Sequence, residues 1–199
     1  MRRRAAAVAE TRRRIVAATK AVHDEQGVLA TTLEDIARRA DVSVGTVYRH
    51  FPTLEDLLRE CGAHVMEILR PPASEDAGAI FQDARTLPER IQRLVVEAFA
   101  LYERGAATIE VIRRERDYFH PLERAYERIE ASLDALVREA LAPFAPDARS
   151  LAVARALIDV RVWQALGEQG LSGEAAAEVV GELLLCRLNQ SLGAARSGS

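Results

Sequence analysis

The segment SVGTVYRH, residues 43–50, carries side chains that are well suited to contact a polyanion. It supplies hydroxyl, guanidinium and imidazole groups in a short stretch, and all of these can donate hydrogen bonds to phosphates or base edges. Gly45 and several β-branched residues make the same segment a poor isolated helix. The choice of residues therefore favours an outward polar face and close approach by another molecule over helix propensity.

Two further elements must position this segment. Apolar residues at helical spacing predict a helix of about two turns over residues 33–40, and Thr32 with Asp35 forms a capping-box-like start. Asp41 tolerates the left-handed conformation of a tight turn, and Ser43 is a natural N-cap for the next helix. The order helix, tight turn, short helix is the geometry that places a second helix in the DNA major groove.

Helical spacing with start and stop signals continues along the rest of the chain, and no strand pattern of useful length appears. The sequence therefore predicts an all-α fold, with a helix-turn-helix domain over residues 1–69 and a helical domain over residues 70–199. Glycine is expected to interrupt a helix at position 105. The remaining predicted helices cover about residues 10–26, 54–69, 88–104, 107–116, 121–142, 147–169 and 172–192, with a loop at 70–87.

The charge distribution agrees with a nucleic-acid partner for the N-terminal part. The chain has a formal net charge of −3, yet basic residues outnumber acidic ones in the first 60 residues. Arg12, Arg13 and Arg14 are interpreted as a solvated face near the DNA. No apolar run predicts a membrane span, and two distant cysteines give no disulfide framework, so we expect a cytoplasmic protein.

The sequence gives no pattern of a catalytic or metal site. The histidines and cysteines show no catalytic grouping, and no phosphate-cradling glycine-rich loop is present. Cys61 and His64 have a spacing that two metal ligands could use, but no matching second pair is evident. We therefore predict no enzyme activity, no metal and no cofactor.

The stretch TTLEDIARRADVSVGTVYRHFPTLEDLL, residues 31–58, resembles the DNA-binding domain of the TetR family of bacterial transcriptional regulators. The resemblance covers about residues 10–60. It departs from the family pattern at His23, Asp41 and Leu54, where the family usually or often has an aromatic residue, a glycine and a lysine. The DNA contacts that the resemblance implies are Thr31, Thr32, Ser43, Gly45, Thr46, Tyr48, Arg49 and His50.

Among these residues, Arg49 holds the variable position that reads bases in the family. Arg2, Arg3 and Arg4 could form a basic arm in the minor groove, and the alternative is that they are disordered and have no role.

The resemblance also implies that the helical domain binds an effector and forms a homodimer. Aromatic residues that are candidates for the effector pocket, or otherwise for the core, are Phe81, Phe99, Tyr102, Tyr118, Phe119, Tyr126 and Trp163. The last two predicted helices are apolar on more than one side, which indicates either interior helices or a four-helix dimer interface. The predicted interface residues are Leu157, Val160, Leu184 and Leu188.

The expected function is that of a ligand-responsive repressor. Its partners would be a palindromic double-stranded operator, a second copy of itself and a small apolar or amphipathic effector that releases it from the DNA. On the DNA, the protein would be associated with the bacterial nucleoid. An activator or a ligand-independent regulator of the same fold is the alternative, because it would use the same DNA contacts.

Overall fold

A computed structural model describes residues 2–197, with side chains from residue 5 to residue 190. Within that part of the chain there are ten α-helices and no strand, which confirms the predicted all-α fold. None of these helices combines the length and the apolar character that crossing a membrane would require. The helices are α1 (Arg2–Gln26), α2 (Leu33–Ala40), α3 (Val44–His50), α4 (Leu54–Leu69), α5 (Ala77–Ile80), α6 (Leu87–Glu115), α7 (His120–Leu141), α8 (Ala148–Leu157), α9 (Val160–Glu168) and α10 (Gly173–Ser197).

Three helical regions differ from the prediction. Helix α1 starts at Arg2, and the expected loop at 70–87 contains α5. The helix predicted over residues 147–169 is two helices, because the Asp159 carboxylate accepts a hydrogen bond from the Arg161 N–H at 2.9 Å and starts α9. Apolar spacing alone does not reveal this break.

The predicted interruption at Gly105 is confirmed as a non-helical residue inside α6. A Cβ at this position would lie 2.7 Å from Leu69 Cδ2, so glycine allows α6 to approach α4 closely.

The chain divides into two compact units. Unit 1 comprises residues 1–70 and 105–127, and unit 2 comprises residues 71–104 and 128–199. Helices α6 and α7 therefore each contribute residues to both units. Residues 105–127 pack with the N-terminal helices, so the compact units do not coincide with a single cut between residues 69 and 70. The functional division predicted at that position stays a prediction.

The core of the N-terminal helices in unit 1 explains how α3 is held. Val47 of α3 is fully buried, and Phe51 directly after the helix is 3% exposed. Both belong to one apolar cluster with Ile15 and Ile36 of the two preceding helices and Leu57 of α4. Short helices gain most of their stability from such packing, so the low propensity of α3 is offset by its buried face.

Residues 105–127 are fixed to the rest of unit 1 by polar as well as apolar contacts. Glu115 Oε2 accepts hydrogen bonds from the backbone N–H groups of Val28 at 2.7 Å and Leu29 at 3.0 Å. Burial raises the pKa of Glu115, but these bonds and one from Arg114 outweigh burial and hold that pKa below its ordinary value. A second contact joins the Thr108 hydroxyl to Asp24 at 2.6 Å.

Gly27 allows the Glu115 contact. Its φ of +86° is left-handed, and a Cβ would lie 2.3 Å from Glu115 Oε1. Any other residue would therefore meet both backbone strain and a steric clash at this turn.

Buried polar contacts also organise unit 2. The Arg90 guanidinium donates to the carbonyl oxygens of Ala140 at 2.8 Å and of Phe81 and Ala84 at 3.1 Å. The Tyr102 hydroxyl donates to Ile158 O at 2.6 Å, at the end of α8. These bonds satisfy carbonyl groups near helix ends and, at Ala84, in the connection between α5 and α6.

His23 gives unit 1 a testable pH dependence. The side chain is 7% exposed, and burial lowers its pKa from 6.5 to about 4, against the opposing charges of Asp24 and Glu115. Between these two values the unfolded chain binds more protons than the folded one. The contribution of His23 to stability is therefore complete above pH 6.5 and is lost as the pH is lowered below 6.5. We expect a slope of up to about 1.4 kcal/mol per pH unit from this group.

His23→Phe should remove that slope between pH 6.5 and 5. The free energy of unfolding is measured by urea denaturation at stepped pH. His64→Gln, a change at a half-buried histidine of α4, serves as the control and should keep the slope. An unchanged slope in His23→Phe would contradict a neutral, buried His23.

Candidate nucleic-acid interface

The turn between α2 and α3 has the geometry predicted from its residues. Asp41 is left-handed, with φ 52° and ψ 54°, and its N–H bonds back to carbonyl oxygens of α2. The Val42 N–H donates to Ala37 O at 3.0 Å, which closes the end of α2. The predicted role of Asp41 as the turn residue is confirmed.

The predicted caps are also present. The Thr32 side chain accepts from the Asp35 N–H at 3.2 Å, and Asp35 Oδ2 accepts from the Thr32 N–H, so the capping box is complete. The Ser43 hydroxyl accepts from the Thr46 N–H at 3.1 Å and starts α3. Each cap uses residues three positions apart, so local sequence suffices to predict it.

The outer face of α3 presents a connected group of polar side chains. Ser43, Tyr48 and Arg49 are exposed, whereas Thr46 and His50 are half-buried. Thr46 Oγ1 lies 2.9 Å from Ser43 Oγ and accepts from Arg49 Nη2 at 3.1 Å. Two hydroxyls and a guanidinium group are therefore held together on one face, with an exposed Tyr48 ring beside them.

The threonines before α2 are engaged within the protein. The Thr31 hydroxyl donates to Gly27 O at 2.6 Å, and the Thr32 hydroxyl donates to Asp35 Oδ2 at 2.6 Å. Their phosphate contacts stay predictions. The side chains of Arg2, Arg3 and Arg4 lie outside the described residues, so the minor-groove arm also stays a prediction.

Arg12 is a residue whose role the sequence did not show. Its Nη1 donates to His50 O at 2.8 Å, at the C-terminal end of α3. The same guanidinium pairs with both carboxylate oxygens of Glu60 on α4, at 3.1 and 2.9 Å, and lies 4.2 Å from the centroid of the Phe51 ring. We call these contacts the Arg12 bridge, and they tie α1, α3 and α4 together.

Arg14 acts similarly at the end of α2. Its Nη2 donates to the carbonyl oxygen of Asp41 at 2.9 Å and also to that of Ala40. Arg13 and Arg14 are both exposed, as a solvated face requires, but Arg13 pairs only with Glu10 of its own helix, whereas Arg12 is half-buried. The general signal for such residues is that the last carbonyl groups of α2 and α3 need donors, but the sequence does not say which arginines supply them.

The predicted pocket aromatics divide between the two units. In unit 2, Phe81, Phe99 and Tyr102 are buried, and the half-buried Trp163 ring lies 6.1 Å from that of Tyr102. In unit 1, Tyr118 is 66% exposed, whereas Phe119 and Tyr126 are half-buried, with Arg116 over the Tyr126 ring. Which of these seven residues line an effector pocket stays a prediction.

The predicted interface residues mostly face the interior of unit 2. Val160, Leu184 and Leu188 are each at most 5% exposed, and Leu157 is half-buried. Among the described side chains of α10, the large apolar ones that are exposed are Val179 and Leu183, one helical turn apart. The first three residues belong to the core of unit 2, and the role of all four in a dimer interface stays a prediction.

Fold and site together define a helix-turn-helix DNA-binding protein, and comparison with known proteins extends this. The model of the family described as bacterial regulatory proteins, tetR family, matches residues 15–61. The HTH-type transcriptional repressor KstR of Rhodococcus jostii (strain RHA1) is 30% identical over 152 residues, 76% of this chain and 69% of that protein. KstR of Mycobacterium tuberculosis (strain ATCC 25618 / H37Rv) is 31% identical over 154 residues, 76% and 67% of the two chains.

The fold is also that of a solved regulator. FadR from Bacillus subtilis, in complex with stearoyl-CoA, superposes with a TM-score of 0.58 at 22% identity, covering 86% of this chain and 96% of that one. The chain belongs to the tetR family of bacterial regulatory proteins, as the motif resemblance implied, and is a DNA-binding transcriptional regulator.

Gly45 provides a test of close approach by DNA. A Cβ added there would meet only Ser43 Oγ, at 3.9 Å, so nothing in the protein's own packing requires glycine. Gly45→Ala should stabilise the fold by about 1 kcal/mol, because alanine is the better helix former, and yet weaken DNA binding. Thermal melting and fluorescence anisotropy with DNA from upstream of the coding region measure the two effects.

The matched control for Gly45→Ala is Gly62→Ala in α4, where an added Cβ also meets nothing within 4 Å. It should give a similar gain in stability without the loss of DNA affinity. If Gly45→Ala bound DNA as tightly as wild type, the inference that DNA approaches the Gly45 backbone closely would be wrong.

The Arg12 bridge should affect sequence selectivity more than general DNA affinity. Arg12→Ala leaves the Glu60 carboxylate without the charged partner that holds its pKa below the ordinary value, and leaves His50 O without this donor. Since the bridge fixes the end of α3, we expect affinity for the specific site to fall about ten-fold or more, with a smaller loss on unrelated DNA.

Arg12→Lys should not restore the lost selectivity, because an ammonium group lacks the parallel donors of guanidinium. Arg13→Ala on the same helix is the control for charge. Equal losses on specific and unrelated DNA in Arg12→Ala would show that the bridge contributes only charge or stability.

Proposed function

We propose that the protein is a homodimeric repressor that occupies a palindromic operator and is released by a small apolar or amphipathic effector. The observation that carries the proposal is the outward face of α3, where Ser43, Thr46 and Arg49 are joined while Val47 anchors the helix. Both KstR relatives are named transcriptional repressors, which supports repression over activation.

Dimerisation follows from how such helices read DNA. One α3 covers only a half-site, and two copies related by a twofold axis would read half-sites in successive major grooves. We assign the interface to the α10 surface that carries Val179 and Leu183, which are 36% and 52% exposed. An apolar surface of this kind can pair with its own symmetry mate, since a twofold interface is self-complementary.

The proposed class of effector is supported by the fold and by a solved structure with a similar fold. The FadR structure with the same fold holds stearoyl-CoA, a long amphipathic molecule. In unit 2 of this chain, Trp163 is only half-buried against the buried Tyr102, so the aromatic cluster has a rim where such a molecule could contact it. Release requires that the effector prefer a conformer that binds DNA poorly, because equal affinity for both conformers shifts nothing.

Arg49→Ala tests the assignment of base reading. We expect wild type to bind DNA from upstream of its own coding region with an affinity that falls as salt rises. The variant should lose about 1–3 kcal/mol of discrimination between specific and unrelated DNA, because a bidentate base contact is removed. Anisotropy titrations at several salt concentrations measure both quantities, and Arg138→Ala in unit 2 controls for the loss of one positive charge.

Three outcomes would contradict the proposal. Unchanged affinity and sequence preference in Arg49→Ala would remove Arg49 as the base reader. A monomer at micromolar concentration in sedimentation equilibrium would exclude the dimer. Promoter activity that rises rather than falls when the protein binds would favour the activator.

A further inference from the structure

Unit 1 contains a small apolar cavity that lies away from the outer face of α3. It has a volume of about 30 Å³, and its walls come from α1, α4, the second part of α6 and the start of α7. His23 and Cys61 line it together with apolar side chains that include Leu58, Val111, Ile112 and Leu122. None of the seven aromatic residues predicted for the effector pocket lines this cavity.

His23 is the polar group that makes the cavity notable. Its side chain is 7% exposed, and its imidazole makes no hydrogen bond with any part of the chain that the structure describes. Buried polar groups are normally hydrogen-bonded, and a neutral imidazole offers one donor and one acceptor nitrogen. A polar group without a partner thus faces a mainly apolar cavity.

The other polar groups at the cavity are neutral or already paired. Asp24 accepts from Lys20 Nζ at 2.5 Å and from the Thr108 hydroxyl at 2.6 Å. Burial raises the pKa of Cys61 to about 12, so its thiol stays protonated at neutral pH. A charged ligand would therefore find no free countercharge here and would lose its hydration.

We propose that this cavity is a binding site for a small uncharged molecule, mainly apolar, with one hydroxyl or carbonyl group that hydrogen-bonds to His23. Water is the alternative occupant, and the volume is enough for one or two molecules. Ordered buried waters typically make about three hydrogen bonds, however, and among the described residues at this site the side chains without a partner are His23 and the weakly hydrogen-bonding Cys61 thiol.

Filling the site would act on the elements that hold α3. A molecule larger than about 30 Å³ must move residues 105–127 away from α1 and α4. That movement strains the Glu115 bonds to Val28 and Leu29, and it displaces α4, which carries Glu60 of the Arg12 bridge. This effect on DNA binding rests on the proposed function, whereas binding to the cavity does not.

Ligand-observed ¹⁹F NMR with 4-fluorophenol and fluorobenzene tests the site. We expect saturable binding of 4-fluorophenol to the full-length protein. His23→Phe should weaken it about five-fold, as for one lost hydrogen bond, and leave fluorobenzene binding unweakened. The change removes an unpaired buried polar group for a ring of similar size, so the variant should fold.

A second variant fills the cavity without touching His23. Gly62 lines the cavity, and an added Cβ there meets nothing within 4 Å, so Gly62→Leu should block both probes while improving helix propensity. Ala63→Leu adds the same side chain at the next, exposed position of α4 and should leave binding unchanged.

The outcomes separate this site from the proposed function. The proposal is overturned if neither probe binds wild type saturably, which is also the result for water alone, or if neither variant changes binding. Anisotropy with operator DNA is run on the same samples. Specific DNA binding without probe binding refutes the cavity site alone, and probe binding without specific DNA binding refutes the proposed function alone.

Discussion

The contact between Arg12 and the end of α3 is the interaction on which the DNA-binding surface most depends. Helix α3 has seven residues, one of them glycine, and such a helix does not form on its own. Val47 and Phe51 fix one side of it in the core, and the guanidinium of Arg12 fixes its last carbonyl group. Apart from Ser43, which caps α3, the exposed residues of the helix are not needed for its packing, so their side chains are available for contact with DNA.

A long-range polar contact also fixes residues 105–127, which complete unit 1. Glu115 is 4% exposed, and its carboxylate is stable there because two backbone N–H groups and Arg114 donate to it. The N–H groups belong to the turn between α1 and α2, so the start of the helix-turn-helix is set by a residue far along the chain. The N-terminal helices are therefore mechanically connected to residues that a division at position 70 would separate from them.

The distance along the chain between two contacting residues determines whether their contact can be predicted from the sequence. The caps at Thr32 and Ser43 and the turn at Asp41 were predictable, because each depends on residues within a few positions. The contacts Arg12–His50 and Glu115–Val28 join residues 38 and 87 positions apart, and the sequence contains many arginines and glutamates that could serve equally. The break before α9 was missed for another reason, since the capping signal of Asp159 lies inside an otherwise continuous apolar pattern.

Asp41 shows how the long-range contacts resolve a local conflict. A φ of 52° favours glycine, asparagine or aspartate, yet a carboxylate beside DNA repels phosphates. Arg14 donates to the Asp41 carbonyl group and places the same nitrogen 3.8 Å from the carboxylate. That pair is exposed and contributes little energy, but it places a positive charge beside the negative one. Because Arg14 also serves the end of α2, one arginine of α1 both closes the turn and offsets the charge that the turn introduces.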